Sequence, residues 1–354
     1  MSALTGSEVK RAWRIVTWAG LLGSIYYVSC ITGAPRIKYL TELGATAFDF
    51  GLIAGLGSIV IVFQLLGSLM ISKVTRRKPV WIALLICHRL VFSLVLLAPL
   101  LFTETKGQIA WILVVLFIHD ALAQTGVPLW FSWMADLVPA GAMTRHWATR
   151  QRFVTMVNIV FMIAVAFGFH WFEMSGRIVL GFSILAAIGV VIGVIDILLF
   201  IKVPEPDGER PVGGRPIDTI LQPVRDQSFR PFLLFMGYWY FAIFVAAPFF
   251  DLYMLERLKL SVLPVQLIAT VSAVGVVVSS HFWGLLCDSF GFRPVLQFLA
   301  LFKAMAPLVF MLIPTNPALG VPILFGFIFF DGICNAGTVL AVQGPLLKST
   351  PRRN

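Results

Sequence analysis

The sequence predicts an all-α polytopic membrane protein, built as two related helical bundles with ten transmembrane helices, six in the first bundle and four in the second. Composition is the first observation behind this. The chain is 59% hydrophobic and 12% charged, with a mean hydropathy of +0.91, whereas soluble domains are roughly 45–50% apolar and about 25% charged. The second is a set of ten apolar stretches, each able to cross about 30 Å of hydrocarbon at about 1.5 Å per residue. The third is an internal repeat that brings the same rare polar residues to matching places in both halves.

Span 1 (15–33) follows Lys10, Arg11 and Arg14, and carries Tyr26 and Tyr27. Span 2 (50–72) ends at the basic run Lys73–Lys78, and span 3 (80–101) follows Pro79, a residue suited to a first helical turn. Span 4 (109–137) holds Asp120 and Gln124, and its length implies an extension beyond the hydrocarbon. Spans 5 (153–172) and 6 (178–201) complete the first bundle. A Pro-, Gly- and charge-rich stretch, 202–230, reads as a linker on the cytoplasmic side. Span 7 (231–250) carries Tyr238, Trp239 and Tyr240, span 8 is 263–286, and span 9 (295–312) is short. Span 10 (319–347) holds Asp331 and Asn335 and is again longer than a membrane requires. The domains expected are thus 1–201, the linker 202–230, and 231–354.

The net charge of +10 is explained by topology, without nucleic acid as a partner. Nineteen of the 27 Lys and Arg fall in the termini, the linker and the loops on one side, with Arg145, Arg150 and Arg152 in loop 4/5, against six in the opposite loops, Arg36 and Lys38 among them. Basic residues concentrate on the cytoplasmic face, so both termini are expected there, in a prokaryotic inner membrane. Cys30, Cys87, Cys287 and Cys334 are scattered one per segment, which gives neither a disulfide framework nor a metal spacing. No cofactor is expected. Span 1 reads as a retained anchor, because no separate signal-peptide cleavage site accompanies it.

The repeat is regular enough to measure. At an offset of 215, Leu52-Ile53-Ala54 meets Leu267-Ile268-Ala269, and Pro79-Val80 meets Pro294-Val295. Asp120, Gln124 and Gly126 recur as Asp331, Asn335 and Gly337 at an offset of 211. The halves repeat in the same orientation, as in transporters made of two parallel repeats. That symmetry predicts two more helices after Pro351, so the chain reads as a twelve-helix design cut short, with a genuine ten-helix variant as the alternative.

Loop 8/9 runs Gly284-Leu-Leu-Cys-Asp288-Ser-Phe-Gly291-Phe-Arg293-Pro294. It resembles the G-x-x-x-D-x-x-G-x-R loop motif of the major facilitator superfamily. The matching loop 2/3 keeps a basic end but has Lys73 where the acid stands in the motif. The resemblance implies a fold of two pseudo-symmetric bundles that rock about a central cavity, lined by helices 1, 4, 7 and 10. It also implies that Gly284, Asp288, Gly291 and Arg293 form a gating loop, and that Lys73 breaks the corresponding latch in the first half.

A charge near the bilayer centre costs about 3 kcal/mol on insertion scales and so marks function. Arg89 and Lys303 lie about 14–15 Å along their helices, and Asp120 and Asp331 about 17–18 Å, which brings all four near the midplane. Gln124 and Asn335, each four residues beyond an acid, share its helix face. Two readings stay open. The acids take up protons or bind polar substrate, with Arg89 and Lys303 as anion-binding partners; or Asp120–Arg89 and Asp331–Lys303 are ion pairs that fix packing. His88 and His119 flank these charges and titrate near neutrality. Tyr26, Tyr27, Trp239 and Tyr240 offer rings for a sugar or an organic cation. Trp130 and Trp133 read as an interfacial belt, and Gly51–Gly55 and Gly189–Gly193 as close-packing faces.

The function expected is secondary transport of a small polar organic solute by alternating access, with protons as a second partner and the lipid bilayer as surroundings. The alternatives are a non-transporting truncated or degenerate carrier acting as a sensor or inactive and, more remotely, an integral membrane enzyme. No H-E-x-x-H, G-x-S-x-G or Walker pattern supports enzymatic or ATP-driven chemistry.

Overall fold

The computed structural model describes residues 6–137, 140–206, 225–227 and 230–349. Arg210 and Arg215 of the linker, and Pro351, Arg352 and Arg353, lie outside the described residues. Among the described residues ten helices are long and apolar enough to cross a membrane, in the order and places the apolar stretches predict. Their bounds are Gly6–Glu42, Ala47–Ile71, Arg77–Leu101, Thr105–Leu137, Arg150–Met174, Ile178–Lys202, Leu233–Glu256, Val262–Phe290, Phe292–Leu312 and Pro317–Val342, spans 1 to 10 below. The chain divides into two compact units: Met1–Thr32 with Tyr39–Val154 and Val179–Phe249, and Gly33–Lys38 with Thr155–Ile178 and Phe250–Asn354.

In the first unit span 4 packs against spans 2 and 3, and in the second span 10 packs against spans 8 and 9. The repeated glycines explain how. A methyl group on Gly126 would run into Leu85 of span 3, and one on Gly337 would lie 2.6 Å from Trp283 and 2.7 Å from Leu299. The glycine six residues after each acid therefore lets its helix approach a neighbour closely. An apolar core of the first unit joins Val16, Trp81, Leu85, Leu129, Trp133 and Phe200. Its counterpart in the second joins Trp283, Cys287, Val295, Leu299 and Cys334.

Three local features depart from the sequence reading. Trp133 is wholly buried, with its indole N–H donating to Pro204 O at 3.0 Å and its ring edge-on to Trp81. It pins the core and is no belt residue, because span 4 turns this face toward spans 3 and 6. The helix containing span 5 begins at Ala140, so Arg150 and Arg152 are helical and do not sit in a loop. Span 1 is compound: an α-helix, Gly6–Tyr26, then a π-helical turn, Tyr27–Ile31, a break at Thr32–Gly33, and a helix Ala34–Glu42 that carries Arg36 and Lys38. Gly33 sits at φ +94°, a left-handed conformation that glycine adopts without steric cost.

Candidate functional site

The polar residues expected near the midplane of the first unit form one hydrogen-bonded network drawn from spans 1, 3, 4 and 6. Arg89 does not pair with Asp120. Its guanidinium donates to Asp196 Oδ2 at 2.9 Å, and the two side chains are only 12% and 4% exposed. The same guanidinium donates to His88 Nε2 at 3.0 Å and to Gly193 O at 3.4 Å, and lies 3.8 Å from the centre of the Tyr26 ring. Span 6 makes room for this: a methyl on Gly193 would stand 2.7 Å from Arg89 Cδ and 2.8 Å from Tyr26 Cδ2.

Hydrogen-bond logic then assigns the imidazole tautomers. An arginine only donates, so His88 Nε2 must accept, and the proton of neutral His88 is on Nδ1, which donates to His119 O at 2.9 Å. His119 Nδ1 lies 2.7 Å from Asp120 Oδ1. An ionised carboxylate only accepts, so Nδ1 carries the proton and Nε2 accepts from the Tyr26 hydroxyl at 2.6 Å. The two imidazole rings lie 3.8 Å apart, centre to centre, tilted by 33°. The outcome is a relay from the phenol through an imidazole to a carboxylate, with its inner members sealed. Tyr26 and His119 are each 1% exposed, whereas the Asp120 side chain is 37% exposed. Among the described residues no Lys or Arg pairs with Asp120. One turn further along, Gln124 Oε1 accepts from Gln64 Nε2 at 2.7 Å.

The second unit is wired differently. Lys303 Nζ and Asp331 Oδ1 are 2.7 Å apart, so the expected Asp331–Lys303 pair is present, and Asn335 Nδ2 donates to Asp331 Oδ2 at 3.3 Å. The aromatic candidates do not gather at one place. Trp239 is buried and stacked on Phe235, and Tyr27, Tyr238 and Tyr240 are exposed.

The two loop motifs differ in their contacts. In loop 2/3, Arg77 pairs with Asp136 at 2.6 Å, donates to Ser132 Oγ at 2.7 Å and reaches Glu205 at 3.8 Å. Lys78 Nζ donates to Ile201 O at 2.7 Å and Val203 O at 2.8 Å, the free carbonyls at the end of span 6. A latch therefore forms from the basic end of the motif, without the acid that Lys73 replaces. In loop 8/9, Gly291 (φ +84°) makes the turn, while Gly284 is uncrowded. Asp288 and Arg293 are exposed and have no ion-pair partner among the described residues.

Two residues escaped the sequence reading. Asp196, only 3% exposed, is the counterion of Arg89; a lone acid in the apolar run of span 6 was the available signal. Arg150, assigned to a loop, lies against Gly20 of span 1, donates to Val16 O at 3.4 Å and acts electrostatically on Asp196.

The ten apolar helices found among the described residues define the class: an integral membrane protein. The family model of the Major Facilitator Superfamily matches residues 17–354, and the chain belongs to that superfamily. Solved structures agree in fold. A crystal structure of a mutant of the nucleoside transporter NupG is 14% identical with a TM-score of 0.69, covering 97% of this chain and 84% of that one. The partially occluded inward-open xylose transporter XylE from E. coli is 13% identical with a TM-score of 0.64, covering 97% and 85%. A D-xylose-proton symporter is 13% identical with a TM-score of 0.59, covering 96% and 90%. No curated protein is significantly similar in sequence. The protein is a secondary transporter of this superfamily and not an enzyme.

Proposed function

We propose that the chain moves a small polar organic solute and couples that movement to protons at Asp120. Nucleosides and xylose, carried by proteins of similar fold, belong to this solute class. One observation carries the reading: Asp120 is the half-exposed end of a sealed phenol–imidazole–carboxylate relay and lacks a cationic partner among the described residues. A carboxylate so placed can exchange a proton at its exposed edge, and His119 holds its orientation. Asp331 has its charge met by Lys303, which suits the Lys303–Asp331–Asn335 cluster to hydrogen-bonding a solute and leaves the proton to Asp120.

The test is solute accumulation in proteoliposomes under an imposed pH gradient, across nucleosides, sugars, amino acids, organic acids and organic cations. Wild type should accumulate one class and lose the gradient on adding a protonophore. Asp120→Asn should still exchange solute across the membrane without accumulating it. Accumulation that ignores both the protonophore and Asp120→Asn would refute the proposal.

A further inference from the structure

We infer that Gln64 and Gln124 form a recognition edge, beside Asp120, for an uncharged solute that carries adjacent hydroxyl groups. The inference deepens the proposed function and rests on it for a small polar solute, whose chemistry it names. Gln124 lies one turn from Asp120 on the same face of span 4. Gln64 reaches it from span 2, with Nε2 donating to Gln124 Oε1 at 2.7 Å. Among the described residues this is the only hydrogen bond either side chain makes, and both are partly exposed. A carboxamide has both donors and acceptor lone pairs, so Gln64 Oε1, Gln124 Nε2 and the second N–H of Gln64 are left to be met from outside the protein. The backbone fixes this edge. A methyl on Gly67, one turn past Gln64, would run into the carbonyl oxygen of Thr125, the residue after Gln124. Spans 2 and 4 therefore cross in close contact just beside the two amides, which lose little freedom when a ligand binds.

The internal repeat supplies a comparison. At the offset of 215 Gln64 corresponds to Ser279, and at 211 Gln124 corresponds to Asn335. Ser279 is buried, and its hydroxyl donates to Gly275 O at 2.7 Å, with Ile333 O at 3.3 Å. Asn335 turns to Asp331. Among the described residues these two do not bond to each other. The same two positions thus serve internal contacts in the second unit, whereas in the first they carry longer amides, joined across two spans with polar atoms to spare. Polar groups are expensive in a membrane span and mark function there. Hydroxyls are the groups that fit. Ionised Asp120 only accepts, each amide donates and accepts, and a hydroxyl does either by rotating. Two neighbouring hydroxyls can take from the N–H and give to the C=O of one planar carboxamide. A cationic solute would be drawn to Asp120 and leave the amides idle, and an anionic one would be repelled by it.

The experiment is isothermal titration calorimetry of the full-length protein in detergent at one fixed pH. The probes are D-xylose, D-ribose, D-glucose, myo-inositol and uridine, with glutamate and choline as charged controls and the deoxy analogues of the hydroxylated probe that binds most tightly. Wild type should bind a hydroxylated probe more tightly than either control. Gln64→Leu should weaken that probe by about 3–10-fold, the effect of losing a neutral hydrogen bond. Removing the hydroxyl at either of two neighbouring carbons should weaken binding to wild type by a similar factor, yet leave Gln64→Leu within about twofold of its value for the parent probe. Ser279→Ala should bind as wild type. The inference is overturned if no hydroxylated probe binds, if a charged control binds more tightly, if Gln64→Leu discriminates against the deoxy analogues as wild type does, or if Ser279→Ala loses as much as Gln64→Leu. If Gln64→Leu does not fold, Gln64→Leu/Gln124→Leu, which leaves no orphaned amide, decides on the same criteria. Binding at fixed pH needs no gradient, so a chain that moved solute without protons would refute the proposed coupling and leave this result standing.

Discussion

Two glycine pairs of identical spacing should respond to alanine in opposite ways. Gly51 and Gly55 of span 2, like Gly189 and Gly193 of span 6, have the small-x-x-x-small pattern of close helix contacts. Around Gly55 nothing lies within 4 Å of an added methyl, and at Gly51 the nearest atom is Phe249 Cζ at an ordinary 3.6 Å. At Gly189 the methyl would meet Ser29 Cβ at 2.6 Å and Cys30 Sγ at 2.9 Å. At Gly193 it would meet Arg89 Cδ at 2.7 Å and Tyr26 Cδ2 at 2.8 Å. Overpacking of this kind costs about 1–3 kcal/mol. Replacing glycine by alanine in an open helix position gains up to about 1 kcal/mol. The propensity gain is common to both helical positions, so Gly193→Ala should be less stable than Gly55→Ala by the overpacking cost alone, about 1–3 kcal/mol. The assay is reversible unfolding in mixed micelles, followed by tryptophan fluorescence. Equal stability of the two variants would show that span 6 does not hold Arg89 and Tyr26 as described.

Other consequences can be measured in the same micelles. Asp331→Asn strips Lys303 of its 2.7 Å partner and should destabilise by on the order of 2 kcal/mol, discounted because both side chains are partly exposed; Lys303→Met/Asp331→Leu should recover most of that loss, and failure to recover would argue against a simple pair. Arg77→Lys should cost nearly as much stability as Arg77→Ala, since Asp136, Ser132 and Glu205 are met by different nitrogens of one planar fork; full stability with lysine there would contradict the latch. Glu173→Ala removes the carboxylate that accepts from Val262 N at 2.9 Å. It should cost about 1 kcal/mol and accelerate amide exchange in the first turn of span 8, and unchanged exchange at Val262 would dismiss this cap.

Much of this architecture was legible in the sequence, because hydrocarbon demands long apolar runs and the repeat fixed their correspondence. The Lys303–Asp331 pair and the rarity of charge at Arg89 and Asp120 could be read from spacing along a helix. The partner of Arg89 could not. Two candidate acids, Asp120 and Asp196, stood in different spans, and choosing between them needs the packing of spans 4 and 6 around span 3. The repeat singles out Asp120, which has a counterpart in Asp331, and gives Asp196 no mark, because it has none. Arg150 was missed for a different reason: a basic residue just outside an apolar run looks like a loop charge until the helix is seen to start at Ala140. The loop 2/3 latch was hidden by Lys73, since its real acids, Asp136 and Glu205, lie far along the chain.

The claim that Asp120 is the proton acceptor is tested most directly by proton counting. Purified protein in weakly buffered detergent solution is given each solute in turn while a pH electrode follows proton binding or release. The account predicts that the solute accumulated by the wild type moves protons on binding, that Asp120→Asn moves none, and that Asp331→Asn still shows the signal where solute binds. An undiminished proton signal in Asp120→Asn would place the coupling proton elsewhere and contradict the account.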